Sequence, residues 1–175
     1  MILLKNSKIV YNLTLDEVFE KIYNSNVDSL GDSIYEIKEW KNTEWVVKNG
    51  AMVKKEDIYI YIESMPDALL DYIIEDEKCL RIAMKHKIKK DGIKYKKIKS
   101  KYIITNFKKV YRQFVKCLDL INIKSYIEIK ENDNKSIEIT INTRININLP
   151  NKEGYEKYVN DIFHELLNNI EKRIS

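Results

Sequence analysis

Two prolines and four glycines in 175 residues leave little material for kinks, collagen-like repeats or flexible linkers. The two cysteines, Cys79 and Cys117, cannot build a disulfide framework and have no neighbours at metal-ligand spacing, which predicts a reduced, intracellular chain. Long apolar runs are missing as well. Met1-Ile2-Leu3-Leu4 is cut short by Lys5 and Lys8, and no segment approaches the roughly 20 residues that span a bilayer, so neither a secretory leader nor a membrane span is expected. No Gly-rich phosphate loop, nucleophile elbow or Cys-His-Asp set can be assembled. His164-Glu165 is followed by Leu166-Leu167-Asn168, which is not a zinc-binding pattern. No metal site or cofactor is expected; an enzyme of the cyclase or hydrolase kind stays open, with no residue evidence beyond His86.

What is present is an ordinary globular balance, 44% apolar and 33% charged, in a length that predicts one domain over 1–175. Ile, Lys and Asn together make up about 40% of the chain, a bias toward AT-rich codons that lowers the meaning of any single lysine or isoleucine. The net charge of +4 hides a segregation. Thr14 to Leu80 sums to about −9 and Arg81 to Lys116 to about +13. Such a basic block predicts an anionic partner, an anionic membrane surface or nucleic acid, through Lys85, Lys87, Lys89, Lys94 and Lys96. The competing reading is a solvated sheet face that offsets the acidic segment.

The periodicities fall in a definite order. Lys8 to Asn12 reads as a strand. Thr14-Leu15-Asp16-Glu17 is a capping box, and Leu15, Val18, Phe19 and Ile22 make a helical stripe ending near Asn24. A second short helix fits 27–30. Trp45-Val46-Val47 leads into Asn49-Gly50 and Ile88-Lys89-Lys90 into Asp91-Gly92, each pair able to take the positive φ of a tight hairpin. Ile58, Ile60 and Ile62 alternate with Tyr59 and Tyr61, and Ile82, Met84 and Ile88 with lysines. A third turn at Glu131–Asn134 precedes the longest alternation, Ile137 to Leu149. One-sided burial of these strands predicts an antiparallel sheet covered on a single face. The segment 107–118 fits a helix or a strand. The segment 152–173 places Tyr155, Tyr158, Val159, Ile162, Phe163, Leu166 and Ile170 on one helical stripe and supplies the cover.

This layout resembles the START-like superfamily, also called the Bet v 1-like, SRPBCC or helix-grip fold. The residues behind the resemblance are Ile9-Val10-Tyr11 followed by Thr14 to Phe19, and the closing strand 137–149 feeding the helix from 152. The resemblance implies an α+β fold in which a curved antiparallel sheet wraps a long C-terminal helix. It also implies a cavity between the two that holds a lipid or another hydrophobic molecule.

His86 lies in alternation with Ile82, Met84 and Ile88, so its ring is expected on the apolar face, where it would orient a hydroxyl or carbonyl of a ligand or act as an acid/base. The plainer alternative is a buried histidine satisfied by a backbone carbonyl or a tyrosine. With His86, Met84 and Ile82, the expected pocket takes Tyr59, Tyr61 and Tyr158 for their hydroxyls and Ile162, Phe163 and Leu166 from the helix. The leading expectation is a binding module for a hydrophobic or amphipathic small molecule. The other is a non-enzymatic interaction module that uses the acidic and basic surfaces without a ligand.

Overall fold

The structure is a computed structural model and describes residues 2–23, 37–61, 79–104, 110–112, 115–118 and 121–147. The strands are β1 (Ile2–Val10), β2 (Ile37–Asn42), β3 (Val46–Lys48), β4 (Ala51–Tyr61), β5 (Cys79–Asp91), β6 (Tyr95–Ile104), β7 (Val110–Arg112), β8 (Val115–Leu118), β9 (Ile121–Glu131) and β10 (Ile137–Ile147), with one helix, α1 (Leu15–Tyr23). The expected helices at 27–30 and 152–173 lie outside the described residues, as does His164.

Eight strands form one curved, wholly antiparallel sheet in the order β1-β10-β9-β6-β5-β4-β2, with β3 paired to β4. Its chemistry is two-sided. Ile58, Ile82, Met84, Ile98, Ile123, Ile127, Ile129, Ile137, Ile139, Ile141 and Ile145 are buried on the inner face. The residues between them, largely lysine, asparagine, threonine and glutamate, occupy the outer face. Period-2 alternation is therefore read out as one dry and one wet side.

Local signals decide where elements begin and end. The Thr14 N–H donates to Glu17 Oε2 at 2.7 Å, and the Glu17 N–H donates to Thr14 Oγ1 at 3.2 Å, so the capping box is closed. The Thr14 backbone N–H, with the hydroxyl second, holds the Glu17 carboxyl below its usual range. Leu15, Val18, Phe19, Ile22 and Tyr23 form the buried side of α1. Asn49 and Gly50 take φ of 50° and 75°, the two positive angles that a two-residue turn between β3 and β4 requires.

Three expectations are revised. β1 starts at Ile2 rather than Lys8 and pairs with β10 over nine positions. Leu4, Asn6 and Lys8 on its inner side are only half buried, which blurs the alternation of an edge strand. Asn12, at φ 63°, turns the chain toward α1. Asp91-Gly92 does not make a positive-φ turn. The loop runs on through Ile93 and Lys94, is closed by the Gly92 N–H donating to the Tyr95 carbonyl at 2.8 Å, and follows a register shift between Ile88 and Lys90. Gly92 suits this close approach, because a Cβ would sit 3.1 Å from that carbonyl oxygen and push it back by a few tenths of an ångström. The ambiguous segment 107–118 contains two paired strands, β7 and β8.

Candidate functional site

Strand register brings five polar side chains into one row on the inner face. Lys54 of β4 faces His86 of β5, His86 faces Ser100 of β6, Ser100 faces Ser125 of β9, and Ser125 faces Thr143 of β10. Glu56 stands two residues from Lys54 on the same side of β4. All are buried: Lys54 is 3% exposed, Glu56 5%, His86 4%, Ser100 0%, Ser125 1% and Thr143 3%. The rows on either side are mainly apolar, with Met84, Tyr102, Ile123 and Ile145 toward one end and Ile98, Ile127 and Ile141 toward the other.

His86 is the centre of this row. Its Nε2 lies 2.7 Å from Glu56 Oε2 and its Nδ1 lies 2.6 Å from Ser100 Oγ. A carboxylate only accepts, so Nε2 donates to Glu56; in the neutral ring Nδ1 then accepts the Ser100 hydroxyl proton. Both nitrogens are thus oriented by protein groups, one of them charge-assisted. Further along, Ser125 Oγ and Thr143 Oγ1 are hydrogen-bonded at 2.9 Å. The aromatic surroundings fix the ring plane. Tyr23 from the last turn of α1 meets His86 edge-on at 5.2 Å between centroids, and Tyr102 meets it from β6 at 6.3 Å. Tyr23 in turn packs on Phe19 at 5.0 Å and Trp45 at 5.4 Å, so α1 and the start of the β3–β4 hairpin are tied to the site through one aromatic cluster.

A serine, a histidine and a glutamate in contact resemble nucleophile activation by a base. Ser100 itself is fully buried. The arrangement is suited to holding and orienting polar groups within an apolar wall. Among the described residues no group of three His, Cys, Asp or Glu side chains converges as metal ligands would.

Of the residues expected at the pocket, Ile82, Met84 and His86 share the inner face and are buried. Tyr59 stands on the outer face, with the Lys41 ammonium 5.7 Å and the Arg81 guanidinium 5.4 Å from its ring centre. Tyr61 closes β4, and Tyr158, Ile162, Phe163 and Leu166 lie outside the described residues. Sequence reading missed Lys54, Glu56, Ser100, Ser125 and Thr143. Each interrupts an apolar alternation as His86 does: Glu56 before Ile58, Ser100 after Ile98, Ser125 between Ile123 and Ile127, Thr143 between Ile141 and Ile145. That signal was readable in each strand. Its convergence was not.

Among the described residues no helix is long and apolar enough to cross a membrane. No protein-family model matches the chain, and no curated protein matches it by sequence. Solved structures do match in three dimensions. An uncharacterised protein of Rhizobium leguminosarum superposes with a TM-score of 0.55 at 8% identity, covering 99% of this chain and 93% of its own. A conserved protein of Geobacillus kaustophilus superposes at 0.52 and 11% identity, covering 99% and 92%. Ara h 8.0201 is also among the neighbours, at 0.49 and 14% identity, covering 99% and 97%. The likeness is one of fold.

Proposed function

We propose that the inner face of the sheet binds a hydrophobic or amphipathic small molecule, such as a lipid. In this reading Ile82 and Met84 form part of the wall, and His86, Glu56, Ser100 and Lys54 form its polar end. The observation that supports it is the buried polar row itself. A hydrogen-bonded ionic cluster in an apolar interior is commonly no more stable than well-packed apolar side chains of the same volume. An inner face otherwise built from isoleucine gains little stability from His86 and Glu56, and gains a place to anchor a polar group. Lys54 supports a ligand with an acidic head, because its side chain is buried and among the described residues is in no ion pair.

Native mass spectrometry of gently purified protein, with organic extraction of the same sample, tests the reading. The expected result is a mass excess that extraction recovers as a small amphipathic molecule, and saturable binding of a fluorescent fatty acid that Lys54→Leu weakens. Protein with no mass excess and no saturable probe binding overturns it.

A further inference from the structure

The outer face has its own register rows, and they are cationic. Arg144 of β10 faces Lys124 of β9, Lys124 faces Lys101 of β6, Lys101 faces Lys85 of β5, and Lys85 faces Lys55 of β4. Adjacent strands are ~4.8 Å apart, so these five cations form a line about 19 Å long. The next row on the same face runs Lys5, Asn142, Tyr126, Lys99 and Lys87 across β1, β10, β9, β6 and β5. The two rows hold eight basic residues and no acid, and among the described residues none of the eight is in an ion pair. The acids that border them are engaged elsewhere. Glu128 accepts from the Tyr95 hydroxyl at 2.6 Å and lies 3.4 Å from the Lys97 ammonium, and Asp57 lies 3.6 Å from Arg81.

Like charges placed directly opposite on neighbouring strands repel and destabilise a sheet. A face that accumulates eight of them without interleaved acids is unfavourable for the isolated protein and favourable against a polyanion. At the β1 end of the rows lies a groove of about 440 Å³, lined by Lys5, Lys99, Lys124, Tyr126, Asn142 and Arg144 together with Leu3, Leu4 and Thr143. It combines cations with an aromatic ring and an amide able to donate and accept, the set that holds a phosphate, a base face and a base edge together. A bilayer would use the charge but not the groove, and a duplex keeps its base faces stacked on one another, away from the Tyr126 ring.

We infer that the outer face of the sheet is a docking surface for single-stranded nucleic acid, with the backbone phosphates along Arg144, Lys124, Lys101, Lys85 and Lys55 and bases in the groove beside Tyr126. The inference is independent of the ligand proposed for the inner face. It also redistributes the basic segment seen in sequence. Lys85 and Lys87 stand in the rows, Lys89 and Lys94 are exposed near the hairpin end, and Lys96 turns to α1. There its ammonium pairs with Asp91 and lies 3.8 Å from Asp16 and 5.2 Å from the Phe19 ring centre.

The experiment is a fluorescence-anisotropy titration of labelled oligo(dT) with the full chain at about 50 and about 200 mM salt, beside anionic vesicles of phosphatidylserine and phosphatidylcholine. About five phosphate contacts predict that affinity falls about 100-fold across this salt range. The triple variant Lys85→Glu, Lys101→Glu, Lys124→Glu should lose about tenfold or more. The charge-matched control Lys94→Glu, Lys130→Glu, Lys135→Glu should stay within about threefold, and both variants should keep the wild-type circular dichroism and melt no lower than the wild type. Tyr126→Ala should weaken oligo(dT) without changing the salt slope. Absence of binding at the lower salt, equal losses in the two triple variants, or binding to vesicles but not to oligo(dT), each overturns the inference.

Discussion

The two faces of one sheet treat polar side chains in opposite ways. On the inner face, Lys54, His86, Ser100, Ser125 and Thr143 share a register row, and hydrogen bonds join His86 to Ser100 and Ser125 to Thr143, with Glu56 binding His86 from the neighbouring row. On the outer face, Lys55, Lys85, Lys101, Lys124 and Arg144 share the adjacent row, and among the described residues no ion pair neutralises them. Each pair of residues across these rows is one position apart along its strand. Burial makes the difference: an unpaired group in the interior loses several kcal/mol of hydration, whereas a solvated lysine loses little. His86, Ser100, Ser125 and Thr143 of the inner row are therefore held by their partners, whereas Lys54 and the outer row are left to take one from outside.

Substitutions should separate the faces by size and by sign. The largest effect is expected at His86→Leu, which strands the buried Glu56 carboxylate and should cost about 3 kcal/mol in urea unfolding. The paired change His86→Leu with Glu56→Leu should recover most of that loss, and a double variant less stable than either single one would contradict the coupling. Ser125→Ala leaves the Thr143 hydroxyl unpaired and should cost about 1–2 kcal/mol, while Ser125→Ala with Thr143→Val should be close to neutral. On the outer face the sign reverses. Lys101→Glu replaces two like-charge neighbours by two opposite pairs and should stabilise by about 0.5–1 kcal/mol at low salt, an advantage that shrinks as salt is added.

The smallest effect concerns the outer-face bond between Tyr95 and Glu128. Donating that bond raises the Tyr95 hydroxyl to about 12, and accepting it lowers the Glu128 carboxyl below its usual range. The tyrosine is raised in the folded chain, so its contribution is complete below its unfolded value and disappears as pH climbs toward about 12. The carboxyl is depressed, so its contribution is present above the ordinary carboxylate range and disappears in acid. The stability gap between the wild type and Tyr95→Phe should accordingly be widest from weakly acidic to weakly alkaline pH and close at both extremes. Thermal melts across pH check this; a gap that does not change with pH would assign the effect to packing.

Much of the fold was legible along the chain. Thr14 and Glu17 marked the start of α1, Asn49-Gly50 marked a hairpin, and the spacing of Ile137 to Ile147 marked a one-sided strand, because each of these is decided by neighbours a few residues apart. The same alternation put His86 on the inner side before any partner was known. The edge strand β1 and the loop after Asp91 were less legible. Pairing with β10 sets the extent of the first, and a register shift sets the second.

Periodicity by itself determined which side of each strand is dry and that lysines crowd the other side. It could not determine which positions of different strands stand opposite one another. Glu56, His86 and Ser100 are separated by 30 and 14 positions, and Lys55 and Arg144 lie at opposite ends of a row whose five members come from five strands. Those juxtapositions depend on turn lengths and on the shift near Ile88, and a slip of one residue at any turn would send each row to the wrong face. Tertiary pairing decided both candidate surfaces, because register is a property of two strands and alternation is a property of one.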